Sequence, residues 1–353
     1  MKLRKRLRKI PEAGGVIFAK NVIPLFSRMG IVRVSLFLGY CVYVFSPKLR
    51  KIAAANIDIV FGKTKTQEEK KAINVASFQS FALTTLDLFW FNKHTSERLK
   101  KYMSYDDSFR VAFDDPSAII LTGHLGNWEV MAVGCGDQAY PLTSIAMPLR
   151  NPFADRELNI LRTKTGCSVV ARKGALRNVL KSLKSGRGTL LGIDQNTLPA
   201  EGGVFVPFFG IQAPVSNAIG VLWSSMQSKV FVSWCIPDDK GYYTAYAKPS
   251  LDLRDDMTRE DITAYMMHEF ESVASENPSF WLWSYKRWRF YRENDEKEKY
   301  PFYAESYEKY TEHGKLEKKY QMLRAVADEA REAVGSSKRT LRRRGAGVMG
   351  AGR

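Results

Sequence analysis

The sequence predicts an α/β fold in which a mixed, mostly parallel sheet is flanked by helices. Short apolar runs typical of buried strands alternate with helical patterns through the middle of the chain. The turn-forming stretch Asp238–Gly241 separates two such runs as a hairpin, which makes one edge of the sheet antiparallel. The chain of 353 residues, with 45% hydrophobic and 26% charged residues, has a globular composition and can bury a large core.

The elements of this fold follow one another as short segments. A long helix is predicted first, over Gln67–Phe91, with a charged start and aromatic and aliphatic residues at helical spacings. Strands are predicted at Ala118–Leu121, Leu142–Met147, Ser168–Ala171, Thr189–Ile193, Val230–Cys235 and Tyr242–Ala247. Further helices are predicted at Trp128–Cys135, Pro152–Lys164, Ala175–Lys184, Pro214–Met226 and Thr258–Glu276. In such sheets, ligands bind beyond the carboxyl ends of the strands.

The N-terminal region predicts an association with a membrane. Residues 1–9 contain six basic residues and no acidic one, and two apolar stretches follow, Val16–Phe26 and Met29–Phe45. The second stretch has 17 residues, which is at the short limit for crossing a hydrocarbon layer of about 30 Å. Basic residues on both sides favour the cytoplasmic side for both flanks. A helix or helical hairpin lying in the cytoplasmic leaflet fits best; a single span and a soluble core helix are the alternatives.

Composition divides the chain into four predicted parts. They are a basic, membrane-associated helical segment (1–50), a main folded domain (51–292), a charged helical appendix (293–334) and a disordered basic tail (335–353). The tail is rich in glycine and basic residues and has almost nothing apolar to bury.

Charge and cysteine usage narrow the class of protein. The formal net charge of +17 calls for an anionic partner, which can be nucleic acid, an anionic membrane face or an acidic protein. The four cysteines are widely spaced, which argues against a disulfide framework or a zinc site and fits a reducing compartment. The chain has no P-loop, no G-x-G-x-x-G and no G-x-S-x-G motif. We therefore expect neither a cofactor nor a metal.

The stretch Gly123–Trp128, GHLGNW, with Glu129 directly after it, contains the candidate catalytic base. On one continuous helix, His124 and Glu129 would point about 140° apart. If Asn127 instead caps the next helix and the two glycines permit a tight turn, the two side chains can converge. An imidazole whose tautomer is fixed by a carboxylate can take a proton from a hydroxyl near neutral pH. The spacing His-x4-Glu alone also fits a histidine that is merely hydrogen-bonded in a turn.

Several ordered blocks supply a family resemblance. TGHLGNWE, Thr122–Glu129, resembles the signature of the bacterial lipid A late acyltransferases, a branch of the glycerolipid acyltransferase-like enzymes. The similarity runs from about residue 20 to residue 292 and includes these blocks: Asn56–Phe61, Arg150–Phe153 with Arg156, Gly192–Asn196 (GIDQN), Val206–Gly210 (VPFFG) with Ala213 and Pro214, and the Trp-rich Phe280–Arg289. Ser284 and Tyr285 stand where many relatives have a histidine, so that position receives no role. The tryptophans Trp281, Trp283 and Trp288 fit either a core or a membrane-interface belt.

The resemblance implies a glycerolipid acyltransferase-like fold and an activity for residues 51–292. A fatty acyl chain would pass from a thioester on acyl carrier protein or CoA to a hydroxyl of a lipid A precursor. His124 would deprotonate that hydroxyl and Glu129 would orient His124, as the HX4E motif. Backbone amides around residues 126–128 would stabilise the oxyanion, and no covalent enzyme intermediate is needed.

The resemblance also implies how the acceptor is bound and where the protein acts. The predicted acceptor-binding residues are Asn127, Arg150, Arg156, Asp194 and Gln195. The two arginines suit phosphate groups, or else form a solvated helix face; Asp194 and Gln195 either bind polar groups of the acceptor or brace the site. The implied partners are an anionic phosphorylated glycolipid and the membrane surface, without nucleic acid. The implied location is the cytoplasmic face of the bacterial inner membrane.

Two alternatives stay open. The same chemistry could act on another glycolipid or phospholipid, such as a phosphoinositide mannoside. A non-enzymatic basic protein that binds membranes or nucleic acid would explain the charged termini, but not the ordered internal blocks.

Overall fold

The structure, a computed structural model, describes residues 14–149, 151–171 and 174–312. The helices are α1 (residues 14–22), α2 (Arg28–Phe45), α3 (Pro47–Phe61), α4 (Gln67–Trp90), α5 (Thr95–Tyr102), α6 (Asp107–Phe113), α7 (Trp128–Asp137), α8 (Pro152–Thr163), α9 (Ala175–Lys184), α10 (Ala218–Met226), α11 (Arg259–Glu276) and α12 (Tyr307–Glu312). The strands are β1 (Met103–Tyr105), β2 (Ile119–Thr122), β3 (Thr143–Ala146), β4 (Ser168–Ala171), β5 (Thr189–Gly192), β6 (Gly203–Phe208), β7 (Ile211–Ser216), β8 (Val230–Pro237), β9 (Tyr243–Pro249), β10 (Phe290–Tyr291) and β11 (Glu305–Ser306).

Seven of these strands form one sheet in the order β1-β9-β8-β2-β5-β3-β4. Every neighbouring pair is parallel except β8 with β9. The predicted α/β class with a mixed, mostly parallel sheet is confirmed. Strands β2 and β5 are in register, with Thr122 opposite Gly192, so the segments that follow them leave the sheet side by side.

The hairpin between β8 and β9 is confirmed, but the edge strand beyond it is β1, which the sequence analysis did not predict. A second difference lies at Pro214, where we predicted the start of a helix. Pro214 belongs instead to β7, and α10 begins only at Ala218. The reason is the turn Phe209–Gly210, whose φ angles of +50° and +72° close a two-residue hairpin that continues the chain as a strand.

Helix α2 packs along α4 through one narrow stripe. Its buried residues are Arg28, Ile31, Val32, Ser35 and Gly39. At Gly39 the helices touch so closely that an added Cβ would overlap the backbone of Gln79. Within the described ranges, α2 alone is long and apolar enough to cross a membrane, and only 28% of it is buried. Its outward face exposes apolar side chains, among them Leu36, Phe37, Tyr40 and Phe45.

The Trp-rich segment and the residues after it pack against the body of the protein. Trp281, Trp283 and Trp288 are at most 3% exposed, so the core interpretation of these tryptophans is confirmed. Beyond residue 293, the buried Tyr303 donates through its hydroxyl to Asn56, and β11 pairs with β10. The segment around Tyr303 and β11 therefore packs on the domain, whereas residues 296–299 before it are exposed. Most of the predicted appendix and the whole predicted tail lie outside the described residues.

Candidate active site

His124 lies in the short loop between β2 and α7, and two glycines shape that loop. Gly126 has a φ of +64°, and a Cβ there would overlap the carbonyl oxygen of Cys235. A Cβ at Gly123 would overlap the ring of Phe270. Because both positions lie directly against other elements, only glycine allows the loop to follow this path.

Backbone hydrogen bonds fix the same loop on both sides. Gly126 donates its amide to Phe280 O at 3.0 Å, and Asn127 donates its amide to Cys235 O at 2.7 Å. The carbonyl of His124 accepts from the amide of Leu282 at 3.0 Å. The predicted helix start is confirmed, because Asn127 Oδ1 accepts from the Val130 amide at 3.0 Å and α7 begins at Trp128. The loop is therefore a rigid support for His124.

The carboxylate of Asp194 holds the imidazole of His124. Asp194 Oδ1 lies 2.8 Å from His124 Nδ1, and Asp194 Oδ2 accepts from the His124 backbone amide at 2.7 Å. Asp194 Oδ2 also accepts from Trp281 Nε1 at 3.0 Å, and the residue is only 3% exposed. Of the two roles we left open for Asp194, these contacts favour bracing of the site.

The pKa values of this pair are displaced in opposite directions. Burial by itself lowers the pKa of His124, but the adjacent charge and hydrogen bond of Asp194 outweigh it and raise the pKa. Burial by itself raises the pKa of Asp194, but the imidazole, Trp281 and the His124 amide outweigh it and lower the pKa. Asp194 therefore favours the protonated imidazole, the form that a general base reaches during the reaction.

Gln195 covers the other nitrogen of the imidazole. Gln195 Nε2 lies 3.0 Å from His124 Nε2, and the side chain is exposed. With the Nδ1 proton directed at Asp194, Nε2 carries the lone pair and accepts from the Gln195 amide. The ring of Trp128 meets the imidazole edge to face, with centroids 4.5 Å apart. A narrow cleft beside them is lined by Ser77, Ser80, Phe81, Gly126, Phe280 and Leu282.

Glu129 occupies a different place from the one we expected. Its carboxylate accepts from Arg162 Nε at 2.7 Å, from Arg162 Nη2, and from Trp128 Nε1 at 3.1 Å. The prediction that Glu129 orients His124 through a direct contact is wrong, because the carboxylate that meets the imidazole is that of Asp194. Glu129 lies in the first turn of α7, and its carboxylate meets Arg162 in the last turn of α8. Its negative charge still adds to that of Asp194 in raising the pKa of His124 against the effect of burial.

The remaining predicted site residues, Asn127, Arg156 and Arg150, differ in where they lie. Asn127 is 1% exposed and donates to Asp87 Oδ2 at 3.2 Å and Tyr243 OH at 3.0 Å, so its side chain has no free donor for an acceptor lipid. Arg156 is exposed on α8, which fits both phosphate binding and a solvated helix face. Arg150 lies outside the described residues.

Two of the three backbone amides that we expected to stabilise the oxyanion already have other hydrogen-bond partners. The amides of Gly126 and Asn127 already donate to carbonyls, so the amide of Trp128 at the first position of α7 becomes the candidate donor. Among the described residues, no group of three or more His, Cys, Asp or Glu could hold a metal ion.

The sequence carried a signal for the contact between His124 and Asp194, but none for the contact between Glu129 and Arg162. His124 and Asp194 each lie two residues beyond the end of a strand, β2 and β5, so knowing that these strands are adjacent would have paired them. Arg162 had no local signal, because its partner Glu129 lies 33 residues away on another helix.

Comparison with known proteins agrees with the resemblance. Residues 4–290 match the family described as bacterial lipid A biosynthesis acyltransferase. A lipid A biosynthesis acyltransferase from Haemophilus influenzae is 24% identical over 258 residues, which cover 70% of this chain and 77% of that protein. The family match includes the His124 loop, Asp194 and the Trp-rich block.

Proposed function

Because the chain belongs to the family of bacterial lipid A biosynthesis acyltransferases, we propose that it transfers a fatty acyl chain from an acyl thioester to a hydroxyl of a lipid A precursor. Family membership makes the chain an acyltransferase; the acceptor, the donor and the residue roles are the proposal. The observation that carries it is the 2.8 Å contact between His124 Nδ1 and Asp194 Oδ1. This contact sits beyond the carboxyl ends of two adjacent parallel strands, where open α/β sheets bind their ligands.

The reaction needs one base and no covalent enzyme intermediate. His124 Nε2 takes the proton of the acceptor hydroxyl while the hydroxyl oxygen attacks the thioester carbonyl carbon. The tetrahedral intermediate collapses as the carbon–sulfur bond breaks, and the imidazolium passes its proton to the departing sulfur, which leaves as a thiol and restores the neutral imidazole. Asp194 keeps the Nδ1 proton in place and stabilises the cation in between. Glu129, held by Arg162, adds negative charge near that cation.

Gln195 stands where the acceptor hydroxyl must bind. The hydroxyl has to lie within hydrogen-bond distance of His124 Nε2, and the Gln195 amide occupies that place at 3.0 Å. Since the side chain is exposed, acceptor binding can displace it. The displaced amide then donates to the acceptor oxygen or, together with the Trp128 amide, to the oxyanion.

The N-terminal helices support a membrane-bound enzyme that works from the cytoplasmic face of the inner membrane. The residues from 14 to 49 expose a continuous series of large apolar side chains, including Phe18 (65%), Leu25 (71%), Phe37 (67%) and Phe45 (80%). Such a surface, in a chain that begins with six basic residues among its first nine, suits an anionic leaflet. Helix α4, which packs on α2, also lines the cleft beside His124, so a lipid acceptor reaches the base from the membrane side. The net charge of +17 suits an acidic acyl carrier protein as donor, with acyl-CoA as the alternative.

An assay with the purified full-length protein tests this proposal. The protein is incubated with a phosphorylated lipid A precursor and with acyl-carrier-protein or CoA thioesters, and the lipids are analysed by mass spectrometry. We expect a product that is heavier by one acyl group and that forms far more slowly with His124→Ala. Transfer to a phosphoinositide mannoside, without transfer to the lipid A precursor, would assign the same chemistry to another acceptor and contradict the proposal.

A further inference from the structure

A buried arginine begins the apolar helix α2. Arg28 is 4% exposed, and its guanidinium binds Asp87 through both Nη1 and Nη2, the latter at 3.2 Å. Its Nε donates to Gly241 O at 2.7 Å. The guanidinium also lies over the rings of Trp90, Phe91 and Tyr243, at 5.0, 5.5 and 5.2 Å from their centroids. Every face of this cation is therefore in contact with the protein.

Asp87 connects Arg28 to the loop that holds His124. Asp87 on α4 is fully buried, and its Oδ2 accepts from Tyr243 OH at 2.6 Å and from Asn127 Nδ2 at 3.2 Å. Asn127 Nδ2 also donates to Tyr243 OH at 3.0 Å. One turn earlier on α4, Thr84 donates to the carbonyl of Gly126 at 3.1 Å. Helix α4 thus holds two successive residues of the catalytic loop.

The stability of the fold does not by itself explain why the buried pair Arg28 and Asp87 is charged. Taking two charges out of water is costly, and apolar side chains of similar volume are often as stable as a buried ion pair. The bidentate geometry has another effect, because it fixes the direction of the Asp87 carboxylate. That carboxylate in turn fixes the amide of Asn127.

Asn127 lies where a small displacement changes the reacting groups. It caps α7, precedes Trp128, whose amide is the candidate oxyanion donor, and follows His124 by three residues. A misplacement on the order of 1 Å can reduce an enzymatic rate about 10²-fold.

We propose that Arg28 and Asp87 are positioning residues of the acyl transfer, which hold Asn127, the start of α7 and the His124 loop in the reactive arrangement. Because Arg28 belongs to α2, the arrangement depends on α2 lying against α4. The membrane-facing helix is thereby coupled to the active site. This inference rests on the proposed acyltransferase role of His124.

The test uses steady-state kinetics of full-length variants. Arg28→Met combined with Asp87→Asn removes both charges but leaves an acceptor for Tyr243 and Asn127. We expect this double variant to fold with a melting temperature close to that of the wild type. Its kcat falls roughly tenfold to a hundredfold while KM for both substrates changes much less, because the loop and not the binding surface is displaced. Arg28→Lys, which keeps the charge but loses the fork geometry, gives an intermediate kcat.

Chemical rescue separates positioning from general destabilisation. In Arg28→Ala, assayed well below its melting temperature, added methylguanidinium is expected to restore much of the lost kcat, and methylammonium is not. The matched control is Arg292→Met, which removes another arginine that pairs with a carboxylate, the partly buried Asp295, and lies over an aromatic ring. This control keeps the kcat of the wild type.

Two other outcomes of these measurements would contradict different parts of the account. A folded double variant with kcat within about twofold of the wild type, an effect of under about 0.5 kcal/mol on the barrier, would overturn this inference. If instead His124→Ala retains the wild-type rate, the proposed role of His124, on which this inference rests, fails, whatever the Arg28 variants do.

Discussion

Asp194 Oδ1 lies 2.8 Å from His124 Nδ1 because β2 and β5 are adjacent, parallel and in register. Thr122 pairs with Gly192, and two residues further along each chain stand the imidazole and the carboxylate. The order of the strands in the sheet therefore brings His124 and Asp194 together, although they are far apart in the sequence.

Replacing Asp194 by Asn tests this relationship through pH. Burial lowers the pKa of His124, the Asp194 carboxylate outweighs that effect, and the net pKa is raised above 6.5. Since the base acts in its neutral form, kcat/KM of the wild type rises with pH and reaches half its maximum above pH 6.5. In Asp194→Asn the effect of burial remains without the carboxylate, so the midpoint moves to lower pH while the maximal rate falls by up to about 10⁴-fold. An unchanged midpoint in pH–rate profiles would contradict the assignment.

Gln195 variants probe the opposite side of the imidazole. Gln195→Ala removes the amide from His124 Nε2, and we expect kcat to fall roughly 10-fold to 10²-fold if that amide donates in the transition state. Gln195→Glu places a second carboxylate beside the imidazole and moves the pH midpoint upward, opposite to Asp194→Asn. Higher activity of Gln195→Ala would mean that the side chain only blocks the site.

The Glu129–Arg162 pair is a second target. The side chain of Glu129 is 7% exposed, so Arg162→Met leaves a buried unpaired carboxylate. Breaking one side of a buried pair costs about 3–5 kcal/mol of the free energy of unfolding. We expect Glu129→Gln combined with Arg162→Met to recover most of that loss, measured by denaturant unfolding. Equal stabilities of the single and the double variant would show that the pair does not hold α7 against α8.

The apolar surface of α2 makes a prediction about location. Phe37 and Phe45 are 67% and 80% exposed, so changing both to Glu should leave folding unaffected. The charged side chains would oppose insertion among lipid headgroups and acyl chains. Flotation with vesicles that contain anionic phospholipids should then show a large loss of binding compared with the wild type. The matched control is Val111→Glu, an exposed apolar position on α6, which should float as the wild type does.

Much of this fold could be predicted from the sequence, and the elements that the prediction missed were missed for physical reasons. Six of the seven strands of the main sheet were found, because buried strands are apolar runs bounded by turns. Strand β1 was missed because three residues carry too little pattern. Strand β7 was missed because Pro214 resembles the first residue of a helix.

In the candidate site, too, some residues could be predicted from local sequence signals and others could not. His124 and the capping role of Asn127 follow from local turn and helix signals. The partner of His124 required the order of strands in the sheet, which periodicity does not contain. The local spacing favoured Glu129, whereas the long-range contacts assign Glu129 to Arg162 and Asp194 to His124. Arg28 and Asp87 had no sequence signal, since 59 residues separate them.

The most direct test of the central claim is mass spectrometry of the lipid formed from a lipid A precursor by wild type and His124→Ala. His268→Ala is the matched control, because His268 is an exposed histidine on α11 that pairs with Glu271. The wild type and the control should add one acyl group at similar rates. His124→Ala, with an unchanged melting temperature, should be slower by roughly 10²–10⁴-fold, the range expected for a lost general base. Acyl transfer at the wild-type rate by a folded His124→Ala protein would contradict the assignment of His124 as the base.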